Sequence, residues 1–549
     1  MRNIDKIFAK AYESHGQGRL EKARVSYLEI LETNPLHSDS LHLLALIEAD
    51  DGNIDGAIAK IETAISVCDN NPLYHANLGR LLNRNDDLSG AANAYMRSTE
   101  LAADDGPVFS DLAGVKLRQN LFDEALKFAE RALLIEPNLV QALFNAAVAH
   151  KNLNAYADSI TYFERVKSLS PDFLGLDFEW AGTLLLRGTE NRIKGVFDDA
   201  EADYKKAFTH APDQAEIHGN LAVLYQETGQ IDLAFDHYDK AIKSQPDNAE
   251  FRRNRAMAYL QIGDYENGWR EYGWRWKTRA FENQVREFAK PIWLGEDLTG
   301  QTVLVHCEQG YGDSLQFARY LPVLNSKADT VLLECQPILT TWMKSQYADC
   351  LVVGKGQNLP NFDVHVPLLN LPGLLYDRDH PVPSVAAALT TSSVLAKPFS
   401  VGLAWKGNAN HPRDAFRSMP LDVLKPLLAI KNIQFVSLQV DGGKDDIEQA
   451  GLQDTLKDNT ATFDDFTDTA NVIAGLDLVI TVDSAIAHLA GSMGKPVWLL
   501  LCTVAEWRWQ RGCDDSPWYP SMKLFRQKNL NDWSGVIKNV VAALNSHRR

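Results

Sequence analysis

The sequence predicts an α-helical solenoid followed by an α/β region, and three observations carry that prediction. A turn-forming residue, usually glycine, recurs at a fixed interval through the first half of the 549 residues. Prolines stop helices on the same schedule. From about Pro291 the pattern changes to short β-branched runs separated by helix-length segments, as in parallel βαβ units.

The interval is 34 residues, with turns at Gly18, Gly52, Asp86, Asn120, Asn154, Gly195, Gly229 and Gly263 and one longer step of 41 before Gly195. Five residues after each turn stands a small residue: Ala23, Ala57, Ala91, Ala125, Ser159, Ala200, Ala234 and Gly268. Four further on come Tyr27, Ile61, Tyr95, Ala129, Phe163, Tyr204, Tyr238 and Tyr272, and three beyond those Ile30, Ala64, Ser98, Ala132, Val166, Ala207, Ala241 and Arg275. Pro35, Pro137, Pro171, Pro212 and Pro246 then end helices. Small side chains let two helices approach closely, and each helix pair buries its apolar stripe only against its neighbours. The seven additional residues, around 173–189, predict one helix longer by about two turns.

Size, period, small-residue position and terminal proline together resemble the tetratricopeptide repeat. The resemblance implies a right-handed solenoid of about eight repeats over residues 1–283. Such arrays hold segments of other proteins, so this half is expected to recruit a protein partner rather than to catalyse. A spacer or self-association device is the other reading, and an oligomer is possible.

Charge supports a protein partner. Residues 1–250 hold 24 Lys and Arg against 40 Asp and Glu, whereas residues 251–290 hold 9 against 5. The acidic stretch argues against binding nucleic acid and suits a neutral or basic partner, with solubility alone as the competing explanation. The last repeat departs from the others, with Gly268, Arg275 and the aromatic-rich run 269–276. A terminal repeat has one side that meets no further repeat, so these aromatics are expected to pack on the next domain.

An apolar fraction of 45% and a charged fraction of 23% exclude a mostly disordered chain. No run reaches the roughly 18 to 20 apolar residues of a membrane span, and the first ten residues lack an apolar export segment. Six scattered cysteines without a Cys-x-x-Cys pair suggest neither a disulfide framework nor a zinc site. A cytoplasmic protein with reduced thiols is expected.

In the second half, predicted strands at 302–307, 330–335 and 350–353 alternate with helices at 314–326 and 337–346. A second set follows: strands at 400–405, 433–439, 478–482 and 497–501, helices at 421–430, 465–476 and 484–493, and a terminal helix at 533–547. Two Rossmann-like lobes result, with ligands expected in the crevice beside the carboxyl ends of the strands.

Three constellations lie at strand ends. Gly310 and Gly312 allow a tight turn and close backbone approach, and Asp313 either takes a proton or caps the helix that follows. Glu334, 22 residues after Gly312, raises a dinucleotide alternative, but Leu315 stands where the third glycine of that fingerprint belongs. In the loop 405–418, Lys406 and Arg417 are suited to phosphate oxygens, or are ordinary surface cations. At 483–491, the strand delivers Asp483, Ser484 and Ala485 to a helix amino terminus that favours an anion, with His488 one turn in. A core histidine and a capping Asp483 are the bland alternative.

Together these segments, with the block 507–527 rich in tryptophan and arginine, resemble heptosyltransferase-like glycosyltransferases of the two-lobed GT-B fold. The resemblance covers 290–549 and implies an acceptor-side lobe at 284–398 and a nucleotide-sugar lobe at 399–549. It implies Asp313 as the general base of an inverting transfer. It also implies Gly310, Gly312, Lys406, Arg417, Asp483, Ser484, Ala485 and His488 around the donor, with no metal and no cofactor beyond the nucleotide-sugar co-substrate. A repeat array fused to such a domain implies O-glycosylation of a protein held by the array. Some relatives of this architecture modify flagellin with nonulosonic acids. The first lobe is shorter than in free-standing heptosyltransferases, so the repeats are expected to supply part of the acceptor pocket. The alternative class is a non-catalytic adaptor with a degenerate transferase-like domain.

Overall fold

The computed structural model describes residues 4–384, 398–411 and 413–547. The predicted lobe boundary at 398 borders residues 385–397, which lie outside the described residues, as does Pro412 of the polar loop. The chain divides into two compact units, Met1–Ile217 and His218–Arg549.

The first unit is a run of paired helices: α1 (Ile4–Gly16), α2 (Leu20–Thr33), α3 (Ser38–Asp50), α4 (Ile54–Val67), α5 (Pro72–Arg84), α6 (Leu88–Leu101), α7 (Gly106–Arg118), α8 (Phe122–Ile135), α9 (Val140–Asn152), α10 (Tyr156–Leu169), α11 (Leu176–Lys194) and α12 (Phe197–His210). The pattern continues through α13 (Ala215–Thr228), α14 (Ile231–Ser244), α15 (Ala249–Gln261) and α16 (Tyr265–Tyr272). All eight predicted turn residues have positive φ, from 59° at Asn120 to 91° at Gly52. This left-handed position ends each first helix, and glycine or a short polar Asp or Asn is the residue that tolerates it. The small residues five positions later are all buried. The irregular repeat is the one with α11, which has 19 residues against 13 in α9. That is six residues, slightly under the two turns expected.

In the second unit α16 has only 8 residues and runs into a 3-10 turn, Gly273–Lys277. As expected, its aromatics pack on the domain that follows. Trp269 meets Phe317 and Trp507 edge-on at 6.0 and 5.5 Å, and Tyr265 meets Trp518 at 5.8 Å. Arg275 is 1% exposed and pairs with buried Glu308 at 3.0 Å. It also donates to Asn370 Oδ1 at 2.5 Å and lies 4.6 Å from the Trp276 ring. Burial pushes the Glu308 carboxyl above its ordinary range, against the opposing effect of Arg275.

The α/β part opens with β1 (Thr302–His306), α17 (Tyr311–Phe317), α18 (Leu321–Asn325), β2 (Thr330–Cys335), α19 (Thr340–Gln346), β3 (Cys350–Gly354), β4 (Val364–Pro367) and α20 (Leu371–Leu374). Its four strands are all parallel, in the order β3-β2-β1-β4. The helix predicted at 314–326 is broken by a 3-10 turn before α18, where Pro322 restarts it.

The second lobe contains β5 (Phe399–Ala404), α21 (Asp414–Arg417), α22 (Lys425–Leu428), β6 (Ile433–Ser437), α23 (Gly443–Ala450), β7 (Leu456–Lys457), α24 (Phe466–Ala474), β8 (Leu478–Val482), α25 (Ala485–Ser492), β9 (Val497–Leu501), β10 (Met522–Arg526) and α26 (Trp533–His547). Its six strands are again parallel, ordered β10-β9-β8-β5-β6-β7. α26 buries Val536, Ile537, Val540 and Leu544 as the apolar spacing predicts. The strand order reverses beside β1 in one sheet and between β5 and β8 in the other. Those switch points are where α/β sheets open a ligand crevice. Among the described residues no helix is long and apolar enough to cross a membrane.

Two expected outcomes test this packing. Arg275→Ala leaves Glu308 buried without its partner and is expected to cost about 3 to 5 kcal/mol in urea denaturation. The second concerns His306, buried against Phe288 at 5.2 Å and His365 Nδ1 at 3.3 Å, and lowered to about 3, chiefly by burial. Its neutral imidazole supports folding fully above the unfolded value near 6.5, and that support is lost as pH falls from there toward 3. By pH 5 the loss is roughly 2 kcal/mol. Unfolding measured at pH 7 and pH 5 is expected to show a steeper decline in wild type than in His306→Phe.

Candidate functional site

The loop after β1 brings Asp313 to the contact between the two lobes. Gly310 caps α17 in an extended conformation, φ −67° and ψ 171°, and Asp313 stands in the first turn. Asp313 Oδ2 accepts the Gly310 N–H at 3.0 Å, so the capping role is real. Its other oxygen, Oδ1, accepts from Arg508 Nη2 in the second lobe. Gly312 permits contact between lobes: a Cβ placed there would lie 2.8 Å from His488 Cδ2 and 3.7 Å from Ala485 Cα. The close approach expected of this glycine is therefore to α25.

From the second lobe, β8 delivers Asp483 and Ser484 to the start of α25. Ser484 is the N-cap residue, yet its side chain makes no capping hydrogen bond and pairs with Thr481 Oγ1 at 3.2 Å. The capping Asp483 of the bland reading is not what the structure shows. The leading amides of α25 lack a side-chain cap, the condition under which a helix terminus attracts an anion. Burial raises the Asp483 carboxyl above its ordinary range, opposed by Trp509, Arg508, Arg417 and His411 close by.

His488 is 5% exposed, its Nδ1 lies 3.0 Å from the Tyr519 hydroxyl, and its ring stacks on Trp509 at 5.3 Å. Burial pushes it well below the usual imidazole range, with Arg508 and Arg319 adding to the effect. The imidazole is thus held in aromatic packing one turn into α25.

Lys406 and Arg417 follow β5 at the switch point, but both are already paired. Lys406 Nζ lies 2.6 Å from Asp446 Oδ2, and Arg417 Nε donates to Asp414 Oδ1 at 3.1 Å. Gly407 gives room for Arg417, since a Cβ there would come within 2.6 Å of the guanidinium. The neighbouring Arg413 pairs with Glu227 at the end of α13, and Arg511 donates to the Glu227 carbonyl. The closing turn of a repeat thus grips two loops of the second lobe.

Sequence reasoning missed Arg508. The block around it stood out for its tryptophans, but only the folded chain places this guanidinium between Asp313 and Asp483. Its Nε donates to Gln316 Oε1 at 2.6 Å, its Nη1 pairs with Glu506, and Trp507 lies beneath it at 4.8 Å. Two other acidic features already have partners. Glu334 is buried and paired with Arg286, so it is not free for a ribose. The triplet Asp377-Arg378-Asp379 lies on a surface turn in which Asp377 Oδ1 accepts the Asp379 N–H at 2.9 Å. Among the described residues no group of three or more His, Cys, Asp or Glu side chains is placed to hold a metal ion.

Comparison with known proteins agrees with both halves. Residues 8–74, 194–248 and 221–272 match one tetratricopeptide repeat family, and residues 140–173 match another. Residues 450–531 match glycosyltransferase family 9 (heptosyltransferase), a span that includes Asp483, Ser484, Ala485, His488 and Arg508. Protein FlbA of Caulobacter vibrioides is 26% identical over 495 residues, covering 83% of this chain and 81% of that protein. Among solved structures, YrrB, a TPR protein with an unusual peptide-binding site, is 19% identical, covering 36% of this chain and 97% of its own at a TM-score of 0.30. MamA is 18% identical, covering 29% of this chain and 94% of its own at a TM-score of 0.28. The chain carries tetratricopeptide repeats and, at residues 450–531, a stretch that matches glycosyltransferase family 9 (heptosyltransferase).

Proposed function

We propose that this protein transfers a sugar from a nucleotide-sugar donor to a Ser or Thr hydroxyl of a protein held by the repeats. The observation that carries the reading is the convergence of Asp313 from one lobe with Asp483 and the uncapped start of α25 from the other, around Arg508. In the proposed reaction the acceptor hydroxyl gives its proton to the Asp313 carboxylate as its oxygen attacks the anomeric carbon. The bond from that carbon to the donor phosphate breaks, and the configuration inverts. The departing phosphate is received by the α25 amides and the arginines beside them, a role for fixed dipoles and charges that asks for no metal. Gly310 and Gly312 shape the loop, and Lys406 and Arg417 act on the donor after exchanging their present carboxylate partners. The cytoplasm, where nucleotide-sugars are made, is the proposed compartment.

For the acceptor, α11 is the helix to watch. It leaves Phe178, Leu186 and Ile193 at 65, 45 and 53% exposure, and Leu174 just before it at 93%. Residues 1–217 hold 22 Lys and Arg against 34 Asp and Glu, which disfavours a second copy and favours an acceptor segment with apolar and basic side chains. Flagellin, modified by some proteins of this architecture, is the proposed acceptor, with a nonulosonic acid as the proposed sugar. The adaptor reading has one observation in its favour, that Asp313 is paired with Arg508 and Lys406 with Asp446.

Intact mass of flagellin from cells lacking the gene is expected to lose sugar-sized increments that wild type restores and Asp313→Asn does not. An unchanged mass rejects this acceptor. Phe178→Glu with Leu186→Glu is expected to reduce acceptor modification at least about tenfold, as for loss of interface anchors, while nucleotide binding measured by fluorescence stays the same.

A further inference from the structure

We propose that Arg508 is a ligand for the donor phosphate that Asp313 holds in reserve, so that donor arrival releases the carboxylate for catalysis. The inference rests on the transferase reading and adds an order to it. Arg508 is 7% exposed and spends its three nitrogens on Gln316, Glu506 and Asp313. Glu506 lies two residues away in its own loop, whereas Asp313 belongs to the other lobe. Gln316 lies on α17 beside Asp313, so both of those bonds span the two lobes, and the one to Asp313 is the ion pair.

The other candidate cations are differently placed. Lys406 and Arg417 are held by Asp446 and Asp414 of their own lobe, and neither touches Asp313. Arg508 alone among these three joins the proposed base to the surroundings of Asp483. A guanidinium presents a planar fork that matches phosphate oxygens as well as it matches a carboxylate, and it stays charged throughout. A diphosphate brings more negative charge than one carboxylate and also gains the α25 amides. It is thus equipped to take Nη2 from Asp313. Until then Asp313 has one oxygen on the Gly310 amide and the other on Arg508, which is a poor state in which to accept a proton. Donor first and acceptor second follows from that competition.

The competition makes a prediction of sign that a merely structural salt bridge does not make. Removing the Asp313 charge abolishes the rival for Arg508, so phosphate binding must tighten, because a ligand whose site is partly occupied by a competitor binds with reduced apparent affinity. The test is tryptophan fluorescence titration of the full-length protein with CMP, UDP, GDP, ADP and inorganic pyrophosphate. The nucleotide that binds wild type is expected to bind Asp313→Asn about 3- to 10-fold more tightly and Arg508→Gln at least about 10-fold more weakly. The double variant is expected to match Arg508→Gln, since without the guanidinium there is nothing to release. Unchanged or weaker binding by Asp313→Asn overturns the inference, as does unchanged binding by Arg508→Gln. If Arg508→Gln fails to fold, the Asp313→Asn titration decides the matter by itself. No wild-type response to any nucleotide overturns the transferase reading and this inference together, whereas a wild-type response without tightening in Asp313→Asn overturns the inference alone.

Discussion

The buried pair between Arg275 and Glu308 is the constraint on which the candidate site depends. Glu308 begins the loop that leads through Gly310 to Asp313, and Arg275 ends the last repeat. A charge with so little water around it is tolerable only beside its partner. The loop is therefore fixed from the repeat side, and nearby Gln309 reaches the Tyr272 hydroxyl at 3.4 Å while its carbonyl accepts from Gln336 at 2.7 Å. The second lobe is held in a similar manner, through Glu227 with Arg413 and Arg511. The last repeats are consequently part of the same compact unit as the candidate site, a unit that begins at His218.

Much of this fold was legible in the sequence because its rules are local. A helix pair that must turn in the left-handed region needs glycine, asparagine or aspartate there, so eight turn residues could be read off at their spacing. Buried parallel strands such as Leu478–Val482 are continuous apolar runs, and they too stand out. The strands that escaped are short or mixed in character: Val364–Pro367 ends in a proline, Leu456–Lys457 has two residues, and Met522–Arg526 alternates apolar residues with Lys523 and Arg526. Each owes its place to a neighbouring strand, which no local pattern reports.

The site was legible in part, for the same reason. Strand-end position and glycine spacing singled out Asp313, Gly312, Asp483 and Ser484, which the fold places where α17 meets α25. Partnership is a non-local property. Nothing near Lys406 in sequence announces Asp446, and nothing near Asp313 announces Arg508. His488 is similar: helical spacing places it near the α25 amino terminus, and its packing against Trp509 and Tyr519 is set by the folded chain.

The central claim is that the crevice between the lobes is a working glycosyl-transfer site built on Asp313. Its most direct measurement is the release of nucleotide by the purified full-length protein from a panel of CMP-, UDP-, GDP- and ADP-sugars, followed by mass spectrometry in the presence of acceptor. The account predicts turnover of one donor class with sugar appearing on the acceptor, and its loss in Asp313→Asn despite retained folding. Turnover by Asp313→Asn equal to wild type, or no turnover of any donor by a folded wild-type protein, would contradict it.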